Sequence, residues 1–134
     1  MSTLALSPGI RGQMQVRVNE ENAVDFLGAP GARVLGTPCM IGYMEMTSRD
    51  LVKAHLGEGY DTVGTHVDVK HLAATPLGMQ VTFHSELLEV NDKRLRFRVE
   101  AYDDKEKVGE GFHERAIIHV ERFASRVQGK RAEQ

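Results

Sequence analysis

From Tyr60 to Phe123 apolar and polar residues alternate, interrupted only by turn signals, and this run limits the fold more than any other part of the chain. Successive side chains leave a strand on opposite faces, so the pattern describes strands with one buried and one wet face. Val63, Thr65, Val67, Val69, His71 and Ala73 are expected to share one face, after which Thr75-Pro76-Leu77-Gly78 turns the chain. Met79, Val81, Phe83 and Ser85 line the next strand. Asn91-Asp92-Lys93 is a hairpin turn, followed by Leu95, Phe97, Val99 and Ala101 alternating with Arg94, Arg96, Arg98 and Glu100. Asp103-Asp104-Lys105 turns the chain once more into a last strand expected over Lys107 to Phe123. An antiparallel sheet of this kind needs an apolar cover for its inner face.

The cover is the one strongly periodic helix. Met40, Ile41, Met44, Ser48, Leu51, Val52 and His55 recur at three- and four-residue spacing, with Thr37 expected as N-cap, Pro38 at the first helical position and Gly57 as the stop. Before it, Met14, Val16 and Val18 alternate with Gln13, Gln15 and Arg17 in a half-buried strand. Asn19 is expected to cap a short helix reaching Leu27, and Gly28 to Gly36 to form a loop. The sum is an α+β architecture, one antiparallel sheet wrapped around one long central helix, which is the arrangement of the hot-dog fold. Its open edge strands imply pairing into a homodimer or a higher assembly of dimers.

Composition bounds the function. At 134 residues, 41% hydrophobic and 27% charged, residues 1–134 are expected to form a single domain, with 1–10 and 126–134 as frayed termini. The formal net charge of −2 leaves no long basic field for nucleic acid. A single cysteine excludes an internal disulfide and any multi-cysteine metal site. No apolar run approaches the roughly 18 residues of a membrane span, and no basic residue precedes Arg11 as in a secretory signal. The expected location is cytoplasmic.

Four side chains stand apart from the structural pattern. Thr37 lies at the start of the central helix, where free N–H groups and the helix dipole favour developing negative charge; its plainer role is a cap. Glu45 borders the apolar stripe, where a carboxyl can handle a proton or position a water, or can simply pair with Arg49 one turn on. His71 follows Val67 and Val69 on the expected inner face and can serve as a base or as a satisfied buried imidazole. Cys39 in the first helical turn is best read as packing. His66 with Asp68 and His113 with His119 lack the spacing of a metal site, Gly109-Glu110-Gly111 is not a phosphate loop, and the Arg94, Arg96, Arg98 row is a solvated face.

Taken together, Thr37-Pro38-Cys39-Met40-Ile41-Gly42-Tyr43-Met44-Glu45, the run from His71 to Gly78 and the segment His113 to Phe123 resemble the fluoroacetyl-CoA thioesterase family of hot-dog proteins. The resemblance implies hydrolysis of a short-chain acyl-CoA by a threonine, a glutamate and a histidine, matched here by Thr37, Glu45 and His71. It further implies that Gly64 lies next to the acyl group, that Arg115 belongs to the site region, that acyl-CoA binds at a dimer interface, and that neither metal nor other cofactor is needed. The three catalytic side chains are expected to meet at one pocket. Where the fluoroacetyl-specific member carries lid aromatics, Gly28-Ala29-Pro30-Gly31-Ala32-Arg33 has none, so selectivity for a fluorinated acyl group is not expected. The other readings are a non-catalytic acyl-CoA or small-carboxylate binding module and, ranked last, a hydratase of the same fold.

Overall fold

The computed structural model describes residues 6–132. Seven elements follow in order: β1 (Arg11–Arg17), α1 (Thr37–Lys53), β2 (Tyr60–His71), β3 (Gln80–Asn91), β4 (Arg94–Tyr102), β5 (Lys107–His119) and α2 (Val120–Ala132). The strands form one antiparallel sheet in the order β1-β3-β4-β5-β2, so β1 and β2 are its edges. The expected hot-dog architecture is therefore present.

Alternation explains the core. Leu95, Phe97, Val99 and Ala101 of β4 are buried, as are Val81, Phe83 and Leu87 of β3, and they pack against Met40, Met44 and Val52 of α1. Burial of each large side chain contributes roughly 1.5–3 kcal/mol, which makes α1 the centre of the molecule. Within this apolar layer the Ser48 and Ser85 hydroxyls satisfy one another at 2.8 Å, and Ser48 also donates to the Met44 carbonyl. No described helix is long and apolar enough to cross a membrane.

The structure departs from the sequence expectations at six places. No helix forms over residues 19–27. Asn19 Oδ1 accepts the Glu21 and Asn22 N–H groups, and the chain then extends, with Ala23 bridging Leu35 and Val24 N–H donating to the Val34 carbonyl. Asparagine's local bonds compete with helix here and win. The N-cap of α1 is Gly36, and Thr37 is the first helical residue. The helix ends at Lys53 because His55 and Leu56 bond back three residues, closing a tighter turn before Gly57 is reached.

In β2 the register slips between Gly64 and His66, a bulge at Thr65. Thr62 and Gly64 face α1 before the bulge and Val67, Val69 and His71 after it, opposite buried or inward positions of β5, so Val63 falls on the outer face. The last strand stops at His119, and residues 120–132 are helical, not frayed. Glu121 in the first turn and Lys130 and Arg131 in the last oppose the helix dipole correctly, and Val120 N–H is tied to the Gly59 carbonyl. At the other end Leu6 is buried and Gly9 N–H donates to the Leu87 carbonyl, so residues 6–10 are held down; 1–5, 133 and 134 lie outside the described residues.

Candidate active site

Helix α1 presents two polar groups, one at its start and one two turns further on. At the start, the Thr37 hydroxyl lies 2.7 Å from Nδ1 of His71 at the end of β2. It makes no capping hydrogen bond, because Gly36 occupies the cap and the hydroxyl is turned to the imidazole. Burial pushes the His71 pKa down, which favours the neutral ring that can accept a proton. Its Nε2 is buried and has no hydrogen-bond partner among the described residues. Pro38 lacks an N–H and Met40 N–H is taken by the Gly36 carbonyl, while no backbone carbonyl takes the N–H of Thr37 or Cys39. Thr37 and His71 open into a cavity of about 400 Å³ whose other walls, including Val24, Phe26, Leu27 and Leu72, are largely apolar.

Two turns on, Glu45 Oε1 lies 3.6 Å from Arg115 Nη1 and 3.9 Å from His113 Nε2. Arg115 is only 6% exposed, so its charge needs partners, and Thr62 supplies two. Arg115 Nε donates to Thr62 Oγ1 at 2.7 Å and Nη2 to the Thr62 carbonyl at 2.8 Å. His113 supplies the third. Its Nδ1 lies 2.8 Å from the His66 carbonyl, which can only accept, so Nδ1 carries the proton and Nε2 accepts from Arg115 Nη1 at 3.2 Å. Burial lowers the His113 pKa, consistent with that neutral tautomer. Burial also lowers the Arg115 pKa, with the Glu45 carboxylate acting in the opposite direction.

Gly64 pairs with Arg115 across the β2–β5 ladder and lies beneath the Glu45 carboxylate. A Cβ there would collide with Glu45 Oε1 and crowd His113 Cε1 at 3.3 Å, so only glycine admits the carboxylate to this position. Arg49, the alternative partner for Glu45, is bound instead by Asp61 through bonds of 3.0 and 2.6 Å. Glu45 is thereby left to Arg115.

Thr37 and His71 are thus in contact, and Glu45, Gly64 and Arg115 are together, but the two groups are separate in one chain. Eight residues of helix divide Thr37 from Glu45, roughly 12 Å of rise, and Glu45 does not line the cavity that holds Thr37 and His71. The expectation of one shared pocket is not met within a single protomer. Sequence reasoning also missed His113 and Thr62 as supports of Arg115. The available signal was strand period, since His113 stands two residues before Arg115 and so shares its face. Cys39 is a free, partly buried thiol packed against the core. Among the described residues no three metal-ligating side chains converge.

Comparison with known proteins adds four findings. The sequence profile of the fluoroacetyl-CoA-specific thioesterase family matches residues 18–121. The fluoroacetyl-CoA thioesterase of Streptantibioticus cattleyicolor is 41% identical over 97 residues, 72% of this chain and 70% of that protein. A crystal structure of fluoroacetyl-CoA thioesterase superposes with a TM-score of 0.85 at 35% identity, covering 93% of this chain and 97% of the other. A hot-dog-like protein from Thermanaerovibrio acidaminovorans, 23% identical, shares the fold with a TM-score of 0.86 over 95% of this chain and 94% of its own.

Proposed function

The chain belongs to the fluoroacetyl-CoA-specific thioesterase family and is a thioesterase acting on acyl-CoA; from that premise we propose that Thr37, His71 and Glu45 carry the hydrolysis, with Gly64 and Arg115 beside the acyl group. The observation that carries this reading is the 2.7 Å contact between the Thr37 hydroxyl and Nδ1 of a neutral, half-buried His71. Simple binding of an acyl-CoA does not need such a pair.

In this mechanism His71 takes a proton from the Thr37 hydroxyl, or from water held there, and returns it to the departing thiolate. The unpaired N–H groups at the start of α1 stabilise the oxyanion that forms on the thioester carbonyl. Glu45 is paired to Arg115 and not to His71, which suits it to positioning the attacking water, while Arg115 supplies fixed positive charge at the same place.

The reaction needs both groups at one thioester, and a second copy supplies the missing half. β2 is an edge strand whose middle, from Gly64 to Asp68, is exposed. A copy paired antiparallel along that edge, related by a two-fold axis near Val67, brings its own His71 end beside Gly64 and Glu45 of the first. The working unit is accordingly a homodimer. The relative's fluoroacetyl-CoA points to a short acyl group, and the loop from Gly28 to Arg33, which has no aromatic residue, supports no requirement for fluorine.

A panel of acyl-CoAs followed with a thiol-detecting dye tests the reading. Expected are release of free coenzyme A and rates on acetyl-CoA and fluoroacetyl-CoA within about tenfold of each other. Tight acyl-CoA binding without thiol release would make the protein a binding module instead.

A further inference from the structure

Asn22 lies in the connection between β1 and α1, yet it is only 4% exposed. Every polar group of its side chain is used. Oδ1 accepts the Asn19 N–H at 2.7 Å, and Nδ2 donates to the Arg17 carbonyl and to the Tyr43 hydroxyl, each at 3.1 Å. These partners fix the orientation of the amide, because a backbone N–H only donates and a backbone carbonyl only accepts. An amide at this depth is tolerated only with its bonds made. Three parts of the chain therefore meet on one side chain: the end of β1, the turn at Asn19 and the second turn of α1.

The main chain of the same residue reaches the start of α1. The Asn22 carbonyl accepts the Gly36 N–H at 2.9 Å, and the Gly36 carbonyl accepts the Met40 N–H at 2.9 Å. Gly36 is the N-cap, in an extended conformation with φ −74° and ψ 143°, so these two bonds set the direction in which the chain enters the helix. Thr37 follows at once, and its hydroxyl is spent on His71 and not on the cap. The approach is close: a Cβ on Gly36 would meet Val24 Cγ1 at 3.3 Å and the Asn22 carbonyl at 3.6 Å. Val24, Gly36, Thr37 and His71 line one cavity, and Asn22 does not line it.

We propose that Asn22 is a positioning residue for Thr37: its side chain ties the 19–24 segment to β1 and to Tyr43, and its carbonyl then fixes Gly36 so that the Thr37 hydroxyl is aimed at His71. The proposal rests on the thioesterase reading and adds what aims that hydroxyl. Asn22 acts only through Gly36 and Val24, so its loss disturbs the geometry of reaction more than the binding of substrate. It also loosens the Val24 wall and admits water to His71. Burial is what holds the His71 pKa down, so hydration moves that pKa up towards the ordinary histidine value.

The test is a double-mutant cycle on acetyl-CoA hydrolysis with Asn22→Ala, Thr37→Ala and the two together. Asn22→Ala is expected to lower kcat about tenfold with KM within about twofold, and to move the acid limb of kcat upwards. In the Thr37→Ala background the same change should alter kcat by less than about twofold, because no hydroxyl is left to aim. Wild-type kcat in Asn22→Ala, or equal losses in both backgrounds, overturns the proposal and leaves Asn22 a purely structural residue. Should Asn22→Ala be unfolded at the assay temperature, Tyr43→Phe takes its place, since it removes one bond to the amide and keeps the ring on Phe83. An approximately threefold loss of kcat, absent in the Thr37→Ala background, then supports the proposal, and wild-type turnover overturns it. If Thr37→Ala itself turns over like the wild type, the catalytic reading of Thr37 has failed. The His71 imidazole titration by NMR then decides the positioning role alone: a raised pKa in Asn22→Ala, or in Tyr43→Phe in its place, supports it and an unchanged one overturns it.

Discussion

The two polar groups on α1 differ in nearly every physical respect. The Thr37–His71 pair is neutral, faces a largely apolar cavity and rests on one hydrogen bond. The Glu45 group is ionic and redundantly built, with Arg115 fixed by Thr62 twice and by His113 once before it faces the carboxylate. A neutral pair can move a proton, while a buried, immobilised cation can hold charge without reorganising. A pair able to move a proton and a group able to hold charge thus sit at the start and in the middle of the same helix, and within one chain they do not meet.

That contrast can be broken most directly at the neutral end. His71→Ala is expected to lower kcat on acyl-CoA by roughly 100-fold or more, the usual contribution of a positioned acid–base group, with little change in thermal stability because the ring is partly exposed and makes one hydrogen bond. Glu45→Ala is expected to cost at least about tenfold, close to 1.4 kcal/mol of barrier. Wild-type turnover in both variants removes these residues from the mechanism.

The ionic end gives a second, smaller effect with an internal control. His113→Leu leaves Arg115 Nη1 without its acceptor and should reduce kcat/KM about tenfold. His113→Gln places an amide oxygen near the Nε2 position and should restore most of that activity; a glutamine variant no better than leucine would reduce His113 to a packing role.

The pH dependence sharpens the comparison further, because both histidines are shifted the same way. Each has a folded pKa below the ordinary histidine value of about 6.5, so the unfolded chain binds protons first as pH falls. Their contribution to stability is present above about pH 6.5 and is lost as pH drops through the folded values. Denaturant unfolding at a series of pH values should show this loss, reduced in His113→Gln, and the acid limb of kcat should lie below about pH 6.5. The smallest effect concerns Arg49, bound to Asp61 at the surface: Arg49→Ala should cost under about 1 kcal/mol of stability and leave turnover intact, since Glu45 takes its charge partner from Arg115.

Much of this molecule was legible before any coordinates. The β4 alternation, the apolar stripe of α1 and the turns at Asp92 and Asp103 appear as expected, because each depends on residues within a few positions of one another. Thr37, Glu45 and His71 were legible as candidates for a similar reason: each is a polar group where the local period calls for apolar burial or a cap. The sequence could not reveal that Gly36 takes over the cap and frees the Thr37 hydroxyl, since that outcome depends on His71, 34 residues away.

The same distinction separates what the chain's own order of residues determined from what only the tertiary structure decided. Periodicity and turn chemistry are local, and they were enough to specify a sheet around a helix. The bulge at Thr65, which puts Gly64 under Glu45 and His71 beside Thr37 on one face, arises from pairing between β2 and β5. The clamp on Arg115 likewise joins residues about 50 positions apart through burial and charge. Such contacts form only when the whole sheet has closed, because a buried cation is tolerated only where every partner has already been brought into place.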